Sequence, residues 1–330
     1  MPQFLISEHN YGKWYIKPLQ MMTIESRVDM QSAVTPDRLS RRQIEAAVQA
    51  DIYKCWTCSS CDLECPVNIA SGRLRPQKII RLANFGLKNQ LVTLPEIWYC
   101  LTCRRCNTIC PNQVKPADLI YYLRNAAVKC RIVSDDALRR YRNLFTGFQN
   151  IRWHAAAECF LGRLPDISEE NWHYWLKKPL PDSAGTIRYQ DLFHGSDRFR
   201  HSVGSANTGA CFTCSECSNI CPVMCPDGVF DPRWIFRMAN LGRTEALLKS
   251  PSSWLCIDCR RCTDTCSQLV RGHDLIRDLQ SLALKEGFVD TGFALRWYNA
   301  QKILYPLFLK EVDRICIPRG ADRPRIKSAV

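Results

Sequence analysis

Apolar and polar positions along the chain interleave in short blocks of helical spacing, several of them opened by proline and followed by glycine. Pro76-Gln-Lys-Ile-Ile-Arg-Leu-Ala-Asn and Pro232-Arg-Trp-Ile-Phe-Arg-Met-Ala-Asn are the clearest pair, with Gly86 and Gly242 where a left-handed C-cap belongs. Thr35-Pro36-Asp37 predicts a helix to about Asp51, with Pro36 at its first position. Further helices are expected from about Pro116 to Lys129 and from about His273 to Lys285, the second stopped by Gly287. Strand patterns are sparse. The expected fold class is mainly α.

The blocks recur. Adding 156 carries Pro76 onto Pro232, Arg81 onto Arg237, Gly86 onto Gly242, Trp98 onto Trp254 and Arg104-Arg105 onto Arg260-Arg261. The unit is a module of roughly 75 residues present twice. The expected organisation is a first module over 1–130, an irregular connecting segment over 131–210, a second module over 211–290 and a C-terminal docking segment over 291–330. That last stretch is aromatic and aliphatic up to Leu309 and is interrupted by Pro306. It reads as a surface for a partner or for peripheral membrane contact, with core packing as the other reading. No apolar run approaches the length of a transmembrane segment, and no signal peptide is visible at the N-terminus.

Cysteine changes the picture most. Sixteen of the twenty cysteines form four runs of Cys-x2-Cys-x2-Cys-x3-Cys. These are Cys55, Cys58, Cys61, Cys65; Cys100, Cys103, Cys106, Cys110; Cys211, Cys214, Cys217, Cys221; and Cys256, Cys259, Cys262, Cys266. Pro66, Pro111 and Pro222 close three of them, and Ser267 stands in the fourth. This spacing holds a [4Fe–4S] cluster by thiolates, and in two-cluster ferredoxins the fourth cysteine of each run ligates the other cluster. The expected sets are therefore Cys55, Cys58, Cys61 with Cys110, and Cys100, Cys103, Cys106 with Cys65. In the second module they are Cys211, Cys214, Cys217 with Cys266, and Cys256, Cys259, Cys262 with Cys221. The expected cofactors are four [4Fe–4S] clusters. Zinc pairs two Cys-x2-Cys knuckles and does not ask for a third cysteine two residues on. Secreted disulfide scaffolds are usually short, so the cysteines point to a reducing cytoplasm.

The formal net charge of +13 suggests nucleic acid at first sight. Sixteen thiolates, less the 2+ of each of four cores, would lower it by eight to about +5. No nucleic-acid motif accompanies the charge, and nucleic-acid binding is not expected. Arg104-Arg105 and Arg260-Arg261, inside the ligand loops, read either as offsets to cluster charge or as a solvated loop face.

The first module resembles HdrC, the C-type iron–sulfur subunit of heterodisulfide reductase. The likeness is carried by the Cys55 run with Pro66, by Arg75-Pro-Gln-Lys-Ile-Ile-Arg-Leu-Ala-Asn-Phe-Gly, by Ile97-Trp98-Tyr-Cys100-Leu-Thr-Cys-Arg-Arg-Cys-Asn-Thr-Ile-Cys110-Pro111 and by Asp118-Leu-Ile-Tyr-Tyr-Leu-Arg. The second copy, from Ser253-Trp254-Leu-Cys256, fits less closely, and the usual HdrC has one such module. The resemblance implies a duplicated α-helical ferredoxin that relays electrons within an oxidoreductase complex. Its implied partners are a catalytic cysteine-rich subunit and a flavin subunit. The chain itself has no adjacent cysteine pair and no Gly-x-Gly-x-x-Gly fingerprint. It has no Cys-x3-Cys-x2-Cys either. It reads as a wire, with no catalytic residue of its own.

Cys225 stands in Cys221-Pro-Val-Met-Cys-Pro, where the first module has Ile69. It is a candidate alternative ligand, although a small core residue near the cluster is the favoured reading. The competing function is a stand-alone iron–sulfur thiol/disulfide oxidoreductase that uses Cys225. Cys130, Cys159 and Cys316 are isolated and read as structural.

Overall fold

The computed structural model describes residues 35–180, 199, 206–224 and 230–317. Cys225 lies outside them. The described residues contain helices and turns and no strand, so the chain is mainly α.

The first half runs α1 Arg38–Val48, α2 Ser60–Leu63, α3 Pro66–Ser71, α4 Pro76–Asn84, α5 Lys88–Thr93, α6 Glu96–Tyr99, α7 Arg105–Thr108, α8 Pro116–Lys129, α9 Asp135–Phe160 and α10 Trp172–Lys177. The second half runs α11 Glu216–Asn219, α12 Pro232–Asn240, α13 Thr244–Leu248, α14 Arg261–Asp264, α15 Gly272–Lys285 and α16 Phe293–Cys316. Helices α2, α4, α7 and α8 recur as α11, α12, α14 and α15 with the same 156-residue offset at both ends. The end of α9 at Phe160 falls by the same shift on the end of α16 at Cys316.

Proline starts α3, α4, α8 and α12, where its missing N–H costs nothing. Helix α4 ends at Gly86, which has φ +72° and donates to the Ala83 carbonyl at 2.9 Å. A Cβ there would lie 1.8 Å from the Asp37 carbonyl oxygen, so only glycine fits beneath the start of α1. That start differs from expectation. Pro36 lies before the helix rather than at its first position, and Asp37 caps α1, its carboxylate accepting from the Leu39 and Ser40 N–H groups at 2.9 and 3.0 Å.

Two larger differences concern the long helices. The sequence predicts an irregular segment over 131–210, yet it contains the 26 residues of α9. The apolar stretch read either as a docking surface or as core forms α16, whose Phe293, Leu304, Tyr305, Phe308 and Leu309 are fully buried. Pro306 does not interrupt it. A proline inside a helix costs about 3 kcal/mol, and burying two or more large side chains beside it gives back roughly that much or more.

Helices α9 and α16 pack on each other. Phe148 and Phe308 stack with centroids 4.2 Å apart, and Tyr305 meets Phe148 edge-on at 5.3 Å. Each helix also lies on the opposite half. Helix α16 contacts α3 and α6, and α9 contacts the 310 turn Pro251–Leu255, which precedes Cys256 as α6 precedes Cys100. The polar contacts cross in the same way. The Tyr99 hydroxyl bonds Asp313, Arg73 donates to Asp313 at 2.7 Å, and Trp153 Nε1 donates to Ser252 Oγ at 3.3 Å. The long helices are thus exchanged between the halves.

Candidate iron–sulfur centre

Each ligand loop turns by the same device. Between its first three cysteines, each run holds two residues in the left-handed region. These are Thr57 and Ser59, Thr102 and Arg104, Thr213 and Ser215, and Asp258 and Arg260, with φ between 55° and 72°. None is glycine, so each conformation is a local cost met by its surroundings. Such bends aim successive N–H groups into the loop, a concavity suited to an anionic iron–sulfur core. Thr102, Thr213 and Asp258 donate to Sγ of Cys100, Cys211 and Cys256 at 3.3, 3.4 and 3.4 Å, and Val114 to Cys110 at 3.4 Å. These donors and the four-thiol sets fit a [4Fe–4S] core. Among the described residues, no three Cys, His, Asp or Glu side chains converge on a site for a single ion.

The fourth cysteine of three runs, Cys65, Cys110 and Cys221, lies beside the other run of its half. Cys110 lines a small cavity with Cys55, Cys58 and Cys61. Burial pushes the Cys61 thiol up to about 12, and Asp62, Cys55, Cys110 and Cys58 push the same way. Burial likewise pushes Cys65 up to about 12 against the Asn68 N–H, with Cys100 and Cys103 adding to it. In the second half burial raises Cys221 to about 12, opposed by the Val223 N–H and reinforced by Cys259 and Cys256. In the first half exposure sorts the thiols the same way. Cys65, Cys100, Cys103 and Cys106 are all buried, while Cys58 is exposed and Cys55, Cys61 and Cys110 are half-buried. Cys214, like Cys58, is exposed.

The loop arginines divide their work. Arg104 pairs with Asp118 at 2.7 Å at the head of α8. Arg105 pairs with Glu64 and reaches across to donate to the Ile257 carbonyl at 3.1 Å. Arg261 reaches back to the Thr102 carbonyl at 3.0 Å. The second-run loops of the two halves are therefore clasped together. Burial pushes Cys103 up to about 12, and Cys259 of the opposite half is among the thiols that add to the shift. Nothing in the local sequence signals this contact, which joins residues more than 150 positions apart.

The second half carries an ion pair that the first half lacks. His273 bonds Asp258, inside the Cys256 loop, and lies 3.2 Å from Asp274. Ala117 and Thr102 hold the corresponding places in the first half. The Asp258 bond raises the His273 pKa, and the same bond lowers that of Asp258. A raised histidine stabilises the fold below its ordinary value of 6.5 and loses that contribution as pH rises through the raised one. The lowered carboxylate contributes above 3.8 and loses its share only as pH falls through the lowered value. His273→Ala is therefore expected to lower the melting temperature more at pH 6 than at pH 9, which a pH series of thermal melts measures.

The fold and these loops define an iron–sulfur protein of the helical ferredoxin class. Residues 54–115 match the family of 4Fe-4S dicluster domains. The chain is similar to the C-type subunit of the heterodisulfide,ferredoxin reductase of Methanothermobacter thermautotrophicus, 38% identical over 91 residues, which are 27% of this chain and 47% of the relative. It is also similar to the C-type iron–sulfur subunit of the CoB–CoM heterodisulfide reductase of Methanopyrus kandleri, 35% identical over 80 residues, 24% of this chain and 41% of the relative. The HdrC-like protein of Archaeoglobus profundus is 28% identical over 84 residues, 26% of this chain and 45% of the relative. The chain spans about half the length of the curated relatives it matches. It is an HdrC-like iron–sulfur protein with a 4Fe-4S dicluster domain over residues 54–115.

Proposed function

We propose that this chain relays electrons through four [4Fe–4S] clusters within a heterodisulfide-reductase-like complex of the cytoplasm. In this reading Cys55, Cys58, Cys61 and Cys110 hold the first cluster, and Cys100, Cys103, Cys106 and Cys65 hold the second. Cys256, Cys259, Cys262 and Cys221 hold the third, and Cys211, Cys214, Cys217 and Cys266 the fourth. The clusters supply one-electron chemistry. The protein's part is to hold them in order and to shield the middle of the line. The clasp of Arg105 on Ile257 and Arg261 on Thr102 carries the reading, because it brings the two second-run loops together at the centre. The outer sites then become the ports. Each presents an exposed thiol, Cys58 or Cys214, and beside it a large exposed aromatic, Trp56 (72%) or Phe212 (73%). The relatives are named as subunits of a reductase. Two ports suit a chain that receives electrons from a flavin subunit and passes them to a catalytic cysteine-rich one, or carries them the other way.

Anaerobic purification is expected to give about sixteen irons and sixteen acid-labile sulfides per chain, with further subunits of the complex co-purifying. Stoichiometric zinc with little iron would overturn the proposal. So would a full iron complement in a chain that turns over disulfide substrate unaided.

A further inference from the structure

Arg152, on α9, is 1% exposed. Its Nη1 donates to Gln149 Oε1 at 2.8 Å and its Nη2 to the carbonyl of Leu255, the residue before Cys256, at 3.0 Å. The guanidinium lies 5.9 Å from the Trp297 ring centroid. Its Nε is buried with no hydrogen-bond partner among the described residues, as are Gln149 Nε2 and the Tyr305 hydroxyl. Its partners among the described residues are a carbonyl, an amide and an aromatic ring, with no carboxylate. A guanidinium buried in this way is strongly unfavourable unless a negative charge lies close by.

A negative charge is what the neighbouring loop would hold. Four thiolates on a [4Fe–4S]2+ core leave a charge of about −2, and one more on reduction. Thiols of both halves act near Arg152. Burial raises the Cys256 thiol to about 12, and Arg152 is among the groups that oppose the rise. Burial also raises the Tyr305 hydroxyl, with Arg152 pulling it down and Cys103 and Cys65 of the first half pushing it up.

The first half backs its second-run loop with a cation too, but draws it from another helix. Arg124 of α8 donates to the Ile97 carbonyl at 2.6 Å and to the Cys100 carbonyl at 2.5 Å. Its counterpart is the neutral Gln280, which donates to the Ser253 carbonyl at 2.9 Å. The counterpart of Arg152 is Phe308. So each second-run loop has one buried or half-buried arginine behind it, although the residue supplying it differs. The helix exchange is what lets α9 of the first half serve the second.

We infer that Arg152 is a positioning residue for electron transfer, a buried counter-charge that favours the reduced state of the cluster held by the Cys256 loop. The inference rests on the four-cluster reading. The step it tunes moves one electron between the two central sites, one core being oxidised as the other is reduced, with no bond made or broken.

The test is an EPR-monitored redox titration of the anaerobically purified holo-protein, with iron counted in each sample. Arg152→Met is expected to keep about sixteen irons and to shift one cluster to lower potential. The shift should change its reduced-to-oxidised ratio at fixed potential at least tenfold, which is 59 mV for one electron. Arg152→Lys keeps a charge and is expected to recover most of the shift. Arg124→Met is expected to shift a different signal. Should Arg152→Met fail to fold, Gln149→Glu sets a carboxylate against the same guanidinium and should lower the same potential. Full iron with every potential unchanged, in whichever of Arg152→Met and Gln149→Glu folds, would overturn the inference. Loss of four irons with the other potentials unmoved would also overturn it, since that marks a structural role. A wild-type chain without four-iron clusters would instead overturn the reading beneath it.

Discussion

Cys65→Ser is expected to strip the Cys100 loop of its cluster and leave the Cys55 loop loaded. About twelve of sixteen irons should remain after anaerobic purification, with one EPR signal gone and three intact. The expectation runs against the order of the chain, because Cys65 belongs to the run of Cys55, Cys58 and Cys61. Yet Cys65 is buried, as are Cys100, Cys103 and Cys106, whereas its own run includes the exposed Cys58. The thiols that act on it are Cys100 and Cys103, and those that act on Cys61 include Cys110. Loss of the signal that also disappears in Cys58→Ser, with the Cys100 centre spared, would show that each run closes its own cluster.

The second large effect is expected from the core. Phe148→Ala should cost about 3–5 kcal/mol of stability, read as a lower denaturation midpoint by circular dichroism. Phe148 is fully buried and touches three other rings, those of Phe308, Tyr305 and Trp172. Its removal leaves a cavity between two long helices that cannot close up without breaking the Arg152 bond to Leu255 on one side and the Tyr99 contact with Asp313 on the other. A change below about 1 kcal/mol, the size of an ordinary surface substitution or little more, would show that the α9–α16 contact does not hold the halves together.

The short helices are plain in the sequence because their signals are local. Pro76 and Pro232 open α4 and α12, and Gly86 closes α4. The long helices are hidden. The buried face of α9 is broken by Gln149, Arg152 and His154; Arg152 reaches Leu255 and His154 faces Lys178, partners distant in sequence. Pro306 masks α16, because a proline reads as a stop wherever packing on the far side cannot be seen. At the candidate site, thiol spacing points to the ligands. It does not point to the bends, since Thr57, Ser59, Thr102 and Arg104 have no intrinsic taste for the left-handed region. Nor does it point to the clasp of Arg105 and Arg261, which depends on how the halves meet.

The exchanged helices give the molecule the anatomy of an isologous dimer threaded on one backbone. Each half offers the other the same kind of arm and takes the same kind in return. Two separate chains with such an interface would dissociate on dilution, and the contact between their second-run loops would be lost with them. A covalent link replaces protein concentration with a fixed effective concentration, so that contact is equally available in a crowded cell and in a dilute assay. It also frees the two halves to diverge. A homodimer must carry the same residue on both sides of its axis. Here Arg124 answers to Gln280, and Arg152 to Phe308. Tethering is therefore what allows a symmetric scaffold to acquire unlike ends.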